Sequence, residues 1–206
     1  MADAQKYISK LRDSRILIIG GSSGIGYAVA EACLEHGALV AISSSNPSRV
    51  ESAVSKLQSS YPSKKSNIHG ITVDLSNPST LESELESVLK NSASKLGSNG
   101  KLDHVVFTAG DALATIKLED MNMQNIVQAG QLRFFAPLLL AKFLPQFLES
   151  SYKSSYTITT GSISEKPMPN WSVIAGYAGG LHSMVRNLAL DMKPIRVSYY
   201  SVPGSS

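Results

Sequence analysis

The stretch Arg15-Ile16-Leu17-Ile18-Ile19-Gly20-Gly21-Ser22-Ser23-Gly24-Ile25-Gly26 decides the fold. Its apolar, β-branched start predicts a strand over residues 15–20 that runs straight into a glycine-rich turn. Beyond the turn, Ile25, Ala28, Val29, Ala32 and Cys33 recur at three- and four-residue spacing, which makes one apolar face of a helix. Glycines at 20, 24 and 26 let the backbone bend tightly, approach a pyrophosphate and pack the helix on the sheet. The free amides at the helix start attract the same anion. Gly20, Ser22, Ser23, Gly24, Ile25 and Gly26 are therefore candidate dinucleotide-binding residues. An isolated glycine cluster would read as a surface turn; its place between a strand and a helix favours the dinucleotide.

Outward from this turn, short apolar runs alternate with stretches of helical period. Strands are expected over residues 15–20, 39–43, 68–74, 104–108, 156–160 and 196–199. Leu81, Leu85, Val88, Leu89 and Leu96 make a second apolar helix face, and Asp74-Leu75-Ser76-Asn77-Pro78 reads as the capped start of that helix. Residues 96–101, with two glycines, Ser98 and Asn99, read as a loop, and residues 134–148 as a buried helix interrupted by Pro137, Lys142 and Pro145. The pattern implies an α/β fold, a doubly wound parallel sheet of Rossmann type in a single domain over residues 1–206. Ligands of such sheets sit beyond the carboxyl ends of the strands, where the winding reverses.

The end of the second strand bears on which dinucleotide is bound. An NAD site places a carboxylate there for the ribose hydroxyls, whereas this chain reads Ser43-Ser44-Ser45-Asn46-Pro47-Ser48-Arg49. Without an acid to repel it, a 2′-phosphate suits the hydroxyls of Ser44 and Ser45 and the guanidinium of Arg49, which points to NADP(H). The plainer alternative makes Arg49 a solvated residue in the first turn of the next helix.

Composition excludes other classes. Of 206 residues, 43% are apolar and 17% charged, too apolar for a disordered chain and too mixed for a membrane protein. Nineteen Lys and Arg against sixteen Asp and Glu give a net charge of +3, scattered along the chain, so no nucleic-acid partner is expected. Cys33 is the one cysteine, and His36, His69, His104 and His182 are too dispersed for a metal site. Residues 1–15 lack the apolar core of a signal peptide, and residues 134–148 fall short of the roughly 20 apolar residues of a membrane span. These features predict a cytoplasmic protein with a small-molecule substrate.

With those residues placed, the sequence resembles the short-chain dehydrogenase/reductase family over nearly its whole length. The motifs are Gly20-xxx-Gly24-x-Gly26, Asp74-Leu75, Thr108-Ala109-Gly110, Gly161-Ser162, and Asn187-Leu188-Ala189-Leu190-Asp191 with Ile195-Arg196-Val197. The resemblance implies an oxidoreductase in which Asp74 and Leu75 flank the adenine while Thr108, Ala109 and Gly110 line the cofactor ribose. An asparagine is usual where Thr108 stands. Ser162 occupies the family's catalytic serine position; it either hydrogen-bonds a polar substrate or satisfies the strand end.

The family's catalytic Tyr-x-x-x-Lys pair is absent: alignment puts Ile174 at the tyrosine and Ala178 at the lysine. Tyr177 lies three residues on, most of a helical revolution away, and is assigned to packing or substrate contact. A fungal branch of the family lacks the same pair, the reductases of the malbrancheamide and paraherquamide alkaloid pathways. The chain resembles that branch at Arg133-Phe134, Ala136-Pro137, Lys166-Pro167-x-Pro169-x-Trp171-Ser172-Val173, Gly176-Tyr177 and Asp191-Met192-Lys193-Pro194. The resemblance implies NADPH-dependent reduction of an iminium and guidance of an intramolecular Diels–Alder reaction, with Arg133 and Trp171 as site residues. It departs at Met168, where the branch has a functional aspartate. Two alternatives stand beside a reductase: a catalytically silent NADP-binding protein, and a cofactor-dependent cyclase. After Val197 the family continues into a substrate flap and a seventh strand, whereas this chain reads Ser198-Tyr199-Tyr200-Ser201-Val202-Pro203-Gly204-Ser205-Ser206. A carboxyl-terminally truncated domain is expected, its sixth strand an exposed edge prone to self-association, and hence a homo-oligomer.

Overall fold

The computed structural model describes residues 10–97 and 99–202; the expectations for residues 1–9, Ser98 and 203–206 lie outside the described residues. Six strands form one sheet: β1 (Arg15–Ile19), β2 (Leu39–Ser44), β3 (Ile68–Thr72), β4 (His104–Phe107), β5 (Ser155–Gly161) and β6 (Arg196–Val202). Their order is β3-β2-β1-β4-β5-β6, and every neighbouring pair is parallel. The winding reverses between β1 and β4, so the crevice at their carboxyl ends is the place for a ligand.

Helices cover both faces. The crossovers α1 (Gly24–Glu35) and α2 (Pro47–Ser60) pack Ala30, Cys33, Leu34, Ala53 and Leu57 on Ile16, Ile18, Val40 and Ile42. On the other face α3 (Leu81–Leu96), α5 (Ala136–Phe147) and α6 (Ser172–Asp191) bury Leu85, Leu89, Leu140, Leu144, Leu181 and Val185 against Leu17, Ile19, Val105, Phe107 and Ile158. Because β1 is covered on both sides, Ile16 to Ile19 form an unbroken apolar run with no alternation. Tyr156 is fully buried on β5, and its hydroxyl donates to the Pro137 carbonyl at 2.9 Å, which satisfies the polar group and ties β5 to the start of α5.

Two local expectations are corrected. The segment after β3 is not the first turn of a helix. Asp74 Oδ1 accepts from the Ser76 amide and Asn77 Oδ1 from the Ser79 amide, two side-chain turns that delay α3 until Leu81. The apolar stretch at 134–148 is not one uniform helix either. Met123–Gly130 forms α4, Gln131–Phe135 is a π-helical turn, and α5 follows without a break. Pro137 sits in the first turn of α5, and Pro145 lies inside the helix two residues from its end, where it removes one i→i−4 hydrogen bond. No helix among the described residues is long and apolar enough to cross a membrane.

Candidate active site

The glycine turn lies at the switch point as the sequence requires. Gly20 has φ +90°, and a Cβ there would lie 2.5 Å from the Ala109 amide nitrogen, so β1 and β4 meet at their ends only because residue 20 has no side chain. The Gly20 and Gly21 amides donate to the Ser43 carbonyl at 2.9 and 3.1 Å, which pins the turn to the end of β2. Gly24 has φ +53° with open space where its Cβ would be. Ser23 precedes α1 and makes no side-chain capping bond, and no acid stands in the first helical turn. The amino terminus of α1 is thus left open to an anion, flanked by Ser22 and Ile25, and the cradle fits a pyrophosphate.

Thr108 differs in role from the expectation. Its hydroxyl reaches the Ile19 and Gly20 carbonyls at 3.0 and 3.2 Å, so the side chain braces the turn, and what the 108–110 segment offers a ligand is backbone. Leu75 likewise turns its side chain into the core, leaving Asp74 as the exposed member of its pair. The Ser76 amide hydrogen bond holds the Asp74 carboxyl below its ordinary value. At the end of β2, Ser44 is half-buried and Ser45 exposed. Asn46 caps α2 by accepting from the Arg49 amide at 3.0 Å, and Pro47 follows as the first helical residue. Arg49 is indeed in the first turn of a helix, yet that turn adjoins Ser44 and Ser45, and its exposed guanidinium has no side-chain partner among the described residues.

The candidate substrate side is built from three elements. Ser162 follows β5 in a short 3₁₀ turn whose carbonyl accepts from the Glu165 and Lys166 amides. Trp171 is the half-buried residue before α6, and its carbonyl accepts from the Ala175 amide at 2.8 Å. Both the Ser162 turn and the π-helical turn pack against α6. Arg133, in the π-helical turn, reaches the end of β4: its Nε donates to Asp111 Oδ1 at 3.1 Å, and Nη2 donates to the Asp111 carbonyl. A Cβ on Gly110 would stand 3.0 Å from each of Cζ, Nη1 and Nη2, so the guanidinium lies flat over that glycine.

Ile174 and Ala178, only 5% and 9% exposed on α6, have no group able to exchange a proton. Tyr177 does not replace them. Its hydroxyl donates to the Ile126 carbonyl at 3.0 Å, its ring packs on Phe134 and Phe135, and burial raises its pKa. Met168 is exposed where the resemblance would place an aspartate. Sequence reasoning missed Ser43, Asp111 and Gln131. Gln131 is 6% exposed and donates from Nε2 to the Leu75 carbonyl at 3.2 Å, joining the π-helical turn to the loop after β3.

Comparison with known proteins agrees with this construction. A family profile described as an SDR-like Rossmann domain matches residues 7–205. The chain is 48% identical over 199 residues to the short-chain dehydrogenase/reductase fsr5 of Gibberella fujikuroi, covering 96% of this chain and 74% of that protein. It is 39% identical over 207 residues to the short-chain dehydrogenase/reductase malC of Malbranchea aurantiaca, covering 100% of this chain and 76% of that one. The solved structure of the MalC reductase/Diels–Alderase superposes with a TM-score of 0.86 over 94% of this chain and 74% of that one, at 39% identity. On fold, glycine cradle and these likenesses together, the chain belongs to the short-chain dehydrogenase/reductase family of oxidoreductases.

Proposed function

We propose that this protein is an NADPH-dependent reductase of a fungal secondary-metabolite pathway, acting on a small, largely apolar substrate for which an iminium cation is the best-suited acceptor. One observation carries the reading: the chain has a tight glycine turn fit for a pyrophosphate, while the positions of the family's Tyr and Lys are the buried, apolar Ile174 and Ala178. The bound cofactor would supply a hydride. Hydride addition to a ketone leaves an alkoxide that needs a proton, whereas addition to an iminium gives a neutral amine and needs none. Absence of a lysine charge also removes repulsion against a cation.

In this reading the turn from Gly20 to Gly26 and the start of α1 hold the pyrophosphate. Ser44, Ser45 and Arg49, with the start of α2, hold the 2′-phosphate. Asp74 and the Leu75 backbone border the adenine, and Thr108, Ala109 and Gly110 line the ribose through main-chain atoms. Arg133, Trp171 and Ser162 border the reacting end. Similarity to a protein described as a reductase/Diels–Alderase supports the reductase reading, and the resemblance to the alkaloid-pathway branch supports an iminium as its acceptor. The buried Ile174 and Ala178 also favour a second reading, a silent dinucleotide-binding protein.

Following NADPH absorbance with a cyclic iminium salt, beside the corresponding neutral ketone, decides between them. Oxidation with the iminium alone supports the reductase; binding without oxidation of NADPH by either compound supports the silent protein. The partner proposed besides substrate is a second copy. Met123, Val127 and Leu138 are exposed on the α4–α5 rod, beside a depression of about 430 Å³ lined by Ile126, Phe134, Val173, Gly176 and Tyr177. Light scattering on the purified chain measures the assembly.

A further inference from the structure

We infer that Asp111 is a positioning residue: it clasps Arg133 so that the guanidinium's remaining edge, Nη1, is presented at the end of β4 to an oxygen acceptor on the nicotinamide-bearing half of the dinucleotide. This rests on the dinucleotide reading above and goes beyond it, since neither the glycine turn nor the missing Tyr-Lys pair involves Asp111.

The geometry is specific. One residue takes both donors of one side of the guanidinium, its carboxylate accepting from Nε and its own carbonyl from Nη2. Nη1, with two N–H groups, has no hydrogen-bond partner among the described residues. A two-point clasp of this kind fixes the plane of the fork as well as its distance, which a single ion pair does not. The plane is laid on Gly110, the only residue type at 110 that leaves the guanidinium where it is. The clasp is within the cofactor crevice. Gly110 follows Ala109, whose amide nitrogen is the atom a Cβ on Gly20 would strike, so Arg133 and the glycine turn both border the 109–110 segment at the β1–β4 switch point. The carboxylate also offsets the guanidinium charge, so that the donor can face a neutral acceptor beside a cationic substrate.

The π-helical turn is what delivers Arg133 there. Such turns are frequent at functional sites, and this one sends two side chains to the loops after β3 and β4, Gln131 to Leu75 and Arg133 to Asp111. The acceptor is a ribose hydroxyl or the carboxamide oxygen, and both belong to the part of NADPH that 2′,5′-ADP lacks.

The test is titration of NADPH, by its fluorescence, and of 2′,5′-ADP, by calorimetry, into the full chain and its variants. Asp111→Ala should weaken NADPH about tenfold, the usual scale of one hydrogen bond to a charged group, while leaving 2′,5′-ADP unchanged. Asp111→Asn, which keeps an acceptor oxygen, should retain affinity to within about threefold. In a double-mutant cycle, Asp111→Ala added to Arg133→Ala should cost nothing further, because Asp111 acts through Arg133. Equal loss of both ligands, or additive losses in the cycle, overturns the inference and leaves the dinucleotide reading intact. A wild-type chain that binds neither ligand overturns both.

Discussion

A Cβ on Gly26 would lie 2.5 Å from the hydroxyl oxygen of Thr108 and closer still to the carbonyl oxygen of Gly20. The first turn of α1, the end of β1 and the end of β4 thus share a space that admits no methyl group. Gly26→Ala should force the turn apart, with a loss of about 1–3 kcal/mol in stability, the range typical of overpacking, and loss of NADPH binding. Trimming Thr108 to Ala in the same chain should not restore binding, because the obstructing Gly20 oxygen is backbone. Thermal melts and NADPH titration of the single and double variants check both statements; full rescue by Thr108→Ala would refute this account of the turn.

Arg49 lies exposed in the first turn of α2, next to Ser44 and Ser45, and no acid stands at the end of β2. The chain should therefore bind NADPH more tightly than NADH. Arg49→Ala should narrow that gap by about tenfold, as expected for one charge-assisted contact, by weakening NADPH and sparing NADH. Equal dissociation constants for the two cofactors in the wild type would end the NADP(H) assignment.

Much of this was legible in the sequence because parallel strands buried on both faces announce themselves. Ile16 to Ile19, Val40 to Ile42 and the runs at 104, 156 and 196 are all strands, with ends displaced by one to three residues. The glycine turn was legible for the same reason that it is rigid, since only glycine tolerates those contacts. The start of α3 was misread because Asp, Asn and Pro serve equally in Asx turns and helix caps, and the choice depends on which amides they meet. The π-helical turn left no mark on the apolar spacing of residues 134–148. Asp111 went unseen because its partner is 22 residues away on another element, and a lone acid after a strand carries no pattern of its own.

Ile174 and Ala178 bear directly on rate. General acid–base assistance is worth about 10²–10⁴-fold, so turnover of ordinary ketones and alcohols should fall below that of family members with the Tyr-Lys pair by about that factor. A cyclic iminium should escape the penalty, and its rate should depend little on pH in the range where a family tyrosine would titrate. Steady-state rates on matched ketone and iminium substrates measure the difference. A ketone turned over at ordinary family rates would show that another group supplies the proton.

The opposite end of the sheet carries a prediction about acid stability. Arg15 at the start of β1 binds Asp103 through Nε at 2.9 Å and Nη2 at 3.0 Å, and Nη2 also reaches Glu149 at 3.0 Å. The same Asp103 accepts from the Arg15 backbone amide at 2.8 Å, so one carboxylate joins the starts of β1 and β4. Burial alone would raise the Asp103 pKa, but the hydrogen bonds and charge of Arg15 outweigh it and hold the carboxyl below its ordinary value. A carboxyl depressed in the folded state contributes stability that is fully present above its unfolded pKa, near 4, and lost as pH falls through the folded value. Asp103→Asn should thus cost stability at neutral pH, about 1–3 kcal/mol for a partly buried charged hydrogen bond, and should flatten the decline below pH 4. Arg15→Met should cost at least as much, since it removes the guanidinium that both Asp103 and Glu149 bind. Urea denaturation of the three proteins from pH 7 to pH 3 reads both effects; parallel wild-type and Asp103→Asn profiles across that range would show that the pair contributes nothing to acid sensitivity.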